Sequence, residues 1–291
     1  MYTVSKWLVV GIVGVVLLVC TNMGLTQQPA QPPKRDITKI AGDLYRFQNN
    51  FHYSVFLVTP AGIIVTDPID AEAAKWLKAE LAQRFKQPIK YLIYSHDHRD
   101  HIAGGEVFAD TATVVAHENA KAAIIGEKRP TAVPNVTFSD NLTIELGGKT
   151  VELLYVGRNH SDNSIVMRFP AERVLFAVDF IPVKGVAFRD FPDAYITDWI
   201  ESLKRVEAMD FDVLAPGHGA LGTKEDVRAY RGYMEDLHAA VLEATRAGKS
   251  VDEMKQTIKL DKYKDWFRYE EFLPLNIEGM YRRVNMHRVG N

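Results

Sequence analysis

Short runs of apolar residues alternate along the chain with longer stretches in which apolar residues recur at every third or fourth position. The short runs are typical of buried strands, whereas the wider spacing is typical of helices that pack one face on a core. Residues 70–85 show the helical spacing, with Asp70 able to cap the start and Pro88 able to stop the helix. The alternation predicts a layered α/β fold.

The same rules place the other elements. Strands are predicted over residues 44–47, 53–58, 62–66, 90–95, 113–116, 151–156, 164–169, 174–178 and 211–215. Helices are predicted over residues 70–85, after His101, over residues 118–125 and 196–209, and through most of the chain from Lys224 onward.

The start of the chain has a different pattern, because Lys6 precedes an unbroken apolar run over residues 7–20. This run is shorter than the roughly 20 residues that span a bilayer, but it has the length of a signal-peptide apolar region. We therefore expect residues 1–25 to be a signal peptide or an N-terminal membrane anchor. Lipid attachment at Cys20 is a less favoured alternative, because Val19 stands where a lipoprotein signal has a small residue.

The domain organisation follows from this start. Residues 26–36 are rich in Gln and Pro and are predicted to be a linker, and residues 37–291 are predicted to be one catalytic domain with a helical C-terminal part. We expect the protein to be exported, periplasmic or extracellular, with membrane association through its N-terminal segment as an alternative to cleavage. The sequence does not determine an oligomeric state.

Composition narrows the class of partner. Hydrophobic residues make up 47% and charged residues 25%, and the net charge is −2 with no dominant basic stretch. Binding of nucleic acid needs clustered positive charge, so we expect a small-molecule substrate and no nucleic acid. Cys20 is the one cysteine, so if it lies in the leader the mature domain has no thiol for a disulfide, a nucleophile or a metal ligand.

The strongest chemical signal is the motif Ser-His-Asp-His-Arg-Asp-His at residues 95–101, directly after a predicted strand. Imidazole and carboxylate groups bind zinc and similar ions, and His96 and His98 can face one ion from an extended turn. Asp100 and His101 can then serve a second ion. A solvated polar loop is the alternative, and it is disfavoured because clustered imidazolium charges repel one another.

Further ligand-type side chains follow other predicted strands: Asp67, His160, Asp179 and His218. In layered α/β folds the active site collects at one end of the strands, where loops converge. Together with residues 95–101, these positions predict one polar site at a common edge.

These residues and their order resemble the metallo-β-lactamase superfamily, from about residue 40 to His218 and the flanking helices. The resemblance implies a four-layer αββα sandwich in a single domain. It implies two metal ions, with His96, His98 and His160 holding the first, Asp100, His101 and His218 holding the second, and Asp179 bridging both. Asp67 matches a family aspartate that orients ligand histidines through hydrogen bonds.

The activity implied by this resemblance is that of a dinuclear zinc-dependent hydrolase, with iron or manganese as alternative ions. Zinc lowers the pKa of bound water from about 15.7 to about 7, and the hydroxide attacks an electrophilic carbonyl. Asp100 is the predicted catalytic residue, which positions the nucleophile and passes a proton to the leaving group.

Two positions separate branches of the superfamily. Asp179 stands where its β-lactamases commonly have Cys or Ser, so ester, thioester, lactone or phosphodiester hydrolysis is favoured over β-lactam hydrolysis. His98 stands where di-iron oxygen reductases have Glu, which disfavours redox use. The alternatives are β-lactamase activity, an iron persulfide dioxygenase, and a non-catalytic binding protein.

Other polar features have competing interpretations. The Gly-x-Gly-x-x-Gly spacing of residues 217–222 matches a dinucleotide-binding loop, but no second strand follows and His218 has a role as a ligand. A capping or surface role is expected for His117, and surface positions are expected for His238 and His287. A pocket wall or a sheet edge is equally expected for His52 and Tyr53, and a substrate contact or a solvated rim for Arg99, Arg158, Arg189, Tyr195 and Trp199.

Overall fold

In the part of the chain that the structure describes, twelve strands form two sheets, the first of which contains seven strands side by side in chain order. These are β1 (Arg35–Ala41), β2 (Leu44–Asn49), β3 (His52–Thr59), β4 (Gly62–Thr66), β5 (Ile89–Ile93), β6 (Thr113–His117) and β7 (Val136–Phe138). Strands β1 to β4 form an antiparallel meander, and β4 to β7 run parallel. The computed structural model describes residues 1–3 and 32–286, so Cys20, the rest of the predicted leader after residue 3, and His287 lie outside the described residues.

The second sheet has five strands in the spatial order β12-β11-β10-β9-β8. They are β8 (Asn141–Leu146), β9 (Lys149–Tyr155), β10 (Ile165–Phe169), β11 (Val174–Phe176) and β12 (Val213–Ala215). All neighbours are antiparallel except β11 and β12, which are parallel.

The helices are α1 (Ala71–Arg84), α2 (Arg99–Ile102), α3 (Glu118–Gly126), α4 (Ile196–Glu207), α5 (Lys224–Arg246), α6 (Val251–Thr257) and α7 (Tyr269–Asn285). Asp70 caps α1 as predicted, since its Oδ1 accepts from the backbone N–H of Ala73 at 2.7 Å. The short helix α2 lies inside the histidine motif rather than after His101, which corrects the prediction. Among the described residues, no helix is long and apolar enough to cross a membrane.

Three apolar clusters show how these elements stack. One cluster joins the first sheet to α1 and α3, a second fills the space between the two sheets, and a third joins the second sheet to α4, α5, α6 and α7. Each sheet therefore buries both faces, one on the other sheet and one on helices, which confirms the four-layer αββα sandwich in a single domain.

Candidate metal centre

Every candidate ligand lies beyond the carboxyl end of a strand. In the first sheet, β4 and β5 run parallel and end before Asp67 and residues 95–101. In the second sheet, β9, β11 and β12 share one direction and end before His160, Asp179 and His218. Because the sheets pack face to face, the loops of both sheets meet at one edge.

The first group of side chains consists of His96, His98, His160 and Asp179, whose ligand atoms lie within 4.8 Å of one another. His98 Nδ1 lies 3.2 Å from His160 Nε2. Asp179 Oδ2 lies 3.4 Å from His96 Nε2 and 3.7 Å from His160 Nε2. His96 is buried, and the other three are half-buried.

The second group consists of Asp100, His101, His218 and again Asp179. Asp179 Oδ1 lies 3.1 Å from His101 Nε2 and 3.2 Å from His218 Nε2. The oxygen Oδ2 of Asp100 lies 3.6 Å from His101 Nε2 and 4.0 Å from His218 Nε2. Asp179 thus turns one oxygen toward each group.

The spacing of these atoms fits two metal ions. Ligands bound at about 2.0 to 2.1 Å around a tetrahedral ion lie about 3.3 Å from one another, close to the distances of 3.1 and 3.2 Å between the second group's best-placed atoms. Among the described residues, the buried atoms His96 Nε2 and Asp179 Oδ1 have no hydrogen-bond partner. A buried polar atom without a partner is costly, and a cation at each group would supply one.

Protonation differs between the groups. Burial lowers the pKa of His96 to about 3, so its ring is neutral at neutral pH, as a metal ligand must be. Burial is the largest effect on His101 and acts to lower its pKa, but the charge and hydrogen bond of Asp179, together with the charges of Asp100 and Asp67, raise that pKa to about 9. A metal ion that enters the second group therefore has to displace a proton from His101.

Asp97 lies between two candidate ligands and joins two loops. Its Oδ1 accepts from Asn163 Nδ2 at 2.9 Å, and its backbone N–H donates to Asn163 Oδ1 at 3.0 Å. Its Oδ2 accepts from Arg129 Nη2 at 2.9 Å. Because Asn163 belongs to the loop that carries His160, these contacts hold the ligands of the first group together.

Further contacts orient individual rings. Ser95 Oγ lies 2.9 Å from His96 Nδ1, and Asp193 Oδ2 lies 3.4 Å from His98 Nε2, the nitrogen that points away from the first group. Partners of this kind fix the orientation and tautomer of a ligand ring. Sequence reasoning missed Asp193, since no local pattern relates the loop before α4 to the histidine motif.

Asp67 holds the backbone of the motif. It is fully buried, and its Oδ1 accepts from the backbone N–H of Ser95 at 2.8 Å. Within the described residues its Oδ2 has no hydrogen-bond partner, and neither has His101 Nδ1. Burial raises the pKa of Asp67 to about 6, against the opposing charge of His101. The contact observed is therefore with the start of the motif and not with a ligand ring.

The glycines of residues 217–222 are explained by packing. A Cβ on Gly217 would lie 2.3 Å from Val178 Cγ1 and 3.0 Å from His101 Cε1, so Val178 and His101 leave no room for a side chain. Gly219 has a φ of +83°, in the left-handed region that favours glycine. The spacing that resembles a dinucleotide-binding loop thus shapes the loop that carries His218.

Among the predicted substrate contacts, Trp199 has its ring 6.1 Å from that of His160. Trp199 is buried and its Nε1 donates to the backbone carbonyl of Phe180 at 2.9 Å. It is therefore part of the hydrophobic core. Arg158 pairs with Asp198 at 2.6 Å and lies over the ring of Tyr195 at 4.6 Å.

The remaining residues singled out from the sequence have other positions or contacts. Arg99 is exposed on α2, and the backbone carbonyl of Arg189 accepts from the side chain of Asn276. His117 caps α3, since its Nδ1 accepts from the N–H two residues on at 3.2 Å, which confirms the capping prediction. His238 is half-buried on α5.

Two known proteins are similar to this chain in sequence. The chain is 26% identical over 257 residues to the 2,4-dinitroanisole O-demethylase subunit alpha of Nocardioides sp. (strain JS1661). The matched region covers 84% of this chain and 78% of the relative. It is also 26% identical over 174 residues to the metallo-beta-lactamase type 2 of Bacillus cereus. That matched region covers 58% of this chain and 67% of the relative.

Solved structures agree on the fold. A metallo-beta-lactamase from Pontibacter korlensis superposes with a TM-score of 0.63 at 21% identity, covering 69% of this chain and 99% of its own. A family profile described as the metallo-beta-lactamase superfamily matches residues 50–218, the span from the turn before β3 to the last candidate ligand. The chain therefore belongs to the metallo-beta-lactamase superfamily.

Proposed function

We propose that the protein is a dinuclear metal-dependent hydrolase of a small molecule with an ester, thioester, lactone or related carbonyl. The observation that carries this proposal is Asp179, whose two oxygens face different groups. A shared carboxylate reduces the repulsion between two close cations and holds both at a fixed separation. Zinc is the ion that we propose, because the donors are imidazole and carboxylate groups.

When bound, two such ions supply a nucleophile from water at neutral pH and a Lewis acid for the carbonyl oxygen. The chain contributes fixed donors that need little rearrangement. Although burial opposes its ionisation, the His101 charge and the contacts with histidines keep the pKa of Asp179 well below its ordinary value. Asp179 is therefore ionised across the working pH range, and its negative charge is available to both ions.

Asp100 is the residue that we propose for proton transfer. It belongs to the second group, yet its side chain is 54% exposed, so a substrate can reach it. Although burial acts to raise its pKa, the hydrogen bond from His52 and the charge of His101 lower it. An ionised, accessible carboxylate can accept a proton from the nucleophile and return it to the leaving group.

The test combines metal content with a substrate panel. Purified wild-type protein should hold about two ions per chain by elemental analysis, and His98→Ala should lose most of its first-site affinity and its activity. Asp179→Asn keeps the shape but removes the charge, so the second metal should weaken by about 10-fold or more, with hydrolysis falling alongside. Two tightly held ions with full turnover in His98→Ala would contradict the assignment.

The panel also separates substrate classes. Activated esters, thioesters, lactones and phosphodiesters should be hydrolysed with a higher kcat/KM than nitrocefin, since Asp179 replaces the Cys or Ser of the β-lactamases. A β-lactam preferred over every ester tried would reverse this choice. Oxygen uptake with one bound iron would instead indicate a dioxygenase.

A second candidate is demethylation of an activated aryl methyl ether. It is favoured by the relative named for that reaction, whose similarity extends over 84% of this chain, compared with 58% for the Bacillus cereus β-lactamase. Adding 2,4-dinitroanisole to the panel and measuring release of the nitrophenol tests it. Turnover of this ether above every ester would make it the principal activity.

A further inference from the structure

Phe51, in the turn before β3, and His52 and Tyr53, the first two residues of β3, contact the second group or the loop that carries His218, and are here called the 51–53 segment. The backbone carbonyl of Phe51 lies 3.0 Å from His218 Nδ1. His52 pairs with His218 as an antiparallel bridge, and the N–H of Tyr53 donates to the carbonyl of Gly217 at 2.8 Å. The segment is therefore docked on the loop that carries His218.

Arg46 on β2 contacts both the 51–53 segment and the His218 loop and so stabilises their contact. Its guanidinium lies 3.6 Å from the centre of the Tyr53 ring, and its Nη2 donates to the carbonyls of Pro216 and Gly219 at 3.0 and 2.7 Å. Arg46 is 7% exposed, so these contacts are shielded from water. Arg46 and the backbone hydrogen bond of Tyr53 thus attach the 51–53 segment to the His218 loop. These contacts fix the position of His52 in the chain.

From this position His52 reaches the most exposed ligand candidate. His52 Nε2 lies 3.2 Å from Asp100 Oδ2, and the His52 ring lies 4.7 Å from that of His218. A carboxylate can only accept a hydrogen bond, so Nε2 carries the proton. Among residues 32–286, no other side chain is hydrogen-bonded to the Asp100 carboxylate.

We propose that His52 is a positioning residue of the second metal site, which holds the Asp100 carboxylate in the orientation that the second ion and the proton transfer require. An exposed carboxylate loses rotamer freedom when it binds an ion, and a fixed donor removes part of that cost in advance. His52 makes no contact of this kind with the first group, so its effect is confined to the second. The inference rests on the proposed dinuclear site.

The experiment compares two metal-binding steps in the full-length protein, freed of metal by a chelator and titrated with Co²⁺. Calorimetry and the ligand-field absorption of Co²⁺ follow each step. His52→Leu removes the donor and should weaken the second step by about 10-fold or more, with the first step unchanged. His52→Gln places an amide N–H near the position of Nε2 and should restore the second step, whereas His52→Asn is too short and should behave like the leucine variant.

The controls separate the possible failures. His238→Leu, on α5, should change neither step. If the wild-type protein binds fewer than two ions, the proposed dinuclear site is wrong. If it binds two and His52→Leu alters both steps or neither, or if His52→Gln and His52→Asn bind the second ion equally well, the role of His52 is refuted while the dinuclear site stands. The pair of amide variants decides the question even if the leucine variant does not fold.

Discussion

Replacement of Asp97 by Asn is the sharpest test of how the first group is held. The carboxylate accepts one hydrogen bond from the neutral side chain of Asn163 and one from the charged side chain of Arg129. An amide can accept only one of them and must turn its NH₂ toward the other donor. The variant therefore loses a charge-assisted hydrogen bond in a nearly buried position, since Asp97 is 5% exposed.

The expected cost follows from the surroundings. A hydrogen bond to a charged group contributes about 1.5 to 3 kcal/mol. Arg129 keeps a second ion-pair partner, Glu127, at 2.7 Å, and its side chain is 22% exposed. Its positive charge is therefore not buried without a partner in the variant. We therefore expect Asp97→Asn to lower the free energy of unfolding by about 2 kcal/mol.

Urea unfolding of the chelator-treated protein measures this difference. The matched control is Glu127→Gln, which removes the other, 58% exposed partner of Arg129 and should cost about 0.5 kcal/mol or less. A loss of similar size in both variants would mean that the Asp97 contact has the strength of a surface ion pair. The reasoning about a buried junction would then be wrong.

The pH dependence gives an independent check. Burial opposes ionisation of Asp97, but the hydrogen bond from Asn163 and nearby positive charges lower its pKa in the folded protein. A lowered folded-state pKa contributes stability above the unfolded value of about 3.9, and this contribution is lost as the pH falls through the folded pKa. The difference between wild type and Asp97→Asn should therefore be constant at neutral pH and shrink below about pH 4. A difference that grows on acidification would reverse the sign of the argument.

Three other predictions use different parts of the chain. Gly217→Ala should weaken binding of the second metal, because its Cβ would press on the ring of His101, and unchanged metal titration would refute this packing. Below about pH 9, binding of the second metal should release the His101 proton, which calorimetry in buffers of different ionisation enthalpy detects as a buffer-dependent heat. Residues 1–33, fused to a reporter active only outside the cytoplasm, should give signal that is lost when Leu17 and Leu18 become Asp; a reporter active only inside the cell would contradict export.

Most of the fold could be predicted from the sequence because the interior strands and long helices have strong periodicity. Helix α1 has apolar residues on one face and Asp70 as its cap, and β4 is buried along its whole length. The strands β1, β7 and β8 were not predicted, because they are short or lie at sheet edges with many polar positions. Alternation in β8 at Leu142, Ile144 and Leu146 would have revealed that strand.

In the candidate site, too, some residues could be predicted from the sequence and others could not. Ligand-type residues are restricted in chemistry, and their positions after strands can be recognised in a linear sequence. Their supports are ordinary residues whose function depends on distant partners: Arg129 meets Asp97 from the segment after α3, and Arg46 meets the His218 loop across 170 or more positions. No local pattern encodes such a pairing, so only the three-dimensional structure reveals it.

The two groups of candidate ligands differ in how far their side chains are exposed to solvent. The first is enclosed by the junction of Asp97 with Asn163, and its His96 is 1% exposed. The second includes side chains that are 42% and 54% exposed, those of His218 and Asp100. The second group is therefore the more accessible of the two to solvent, and it holds the carboxylate to which we assign the proton transfer. The proposed positioning of that carboxylate by the 51–53 segment would thus act at the open side of the site, whereas the junction of Asp97 with Asn163 holds the first group in the interior.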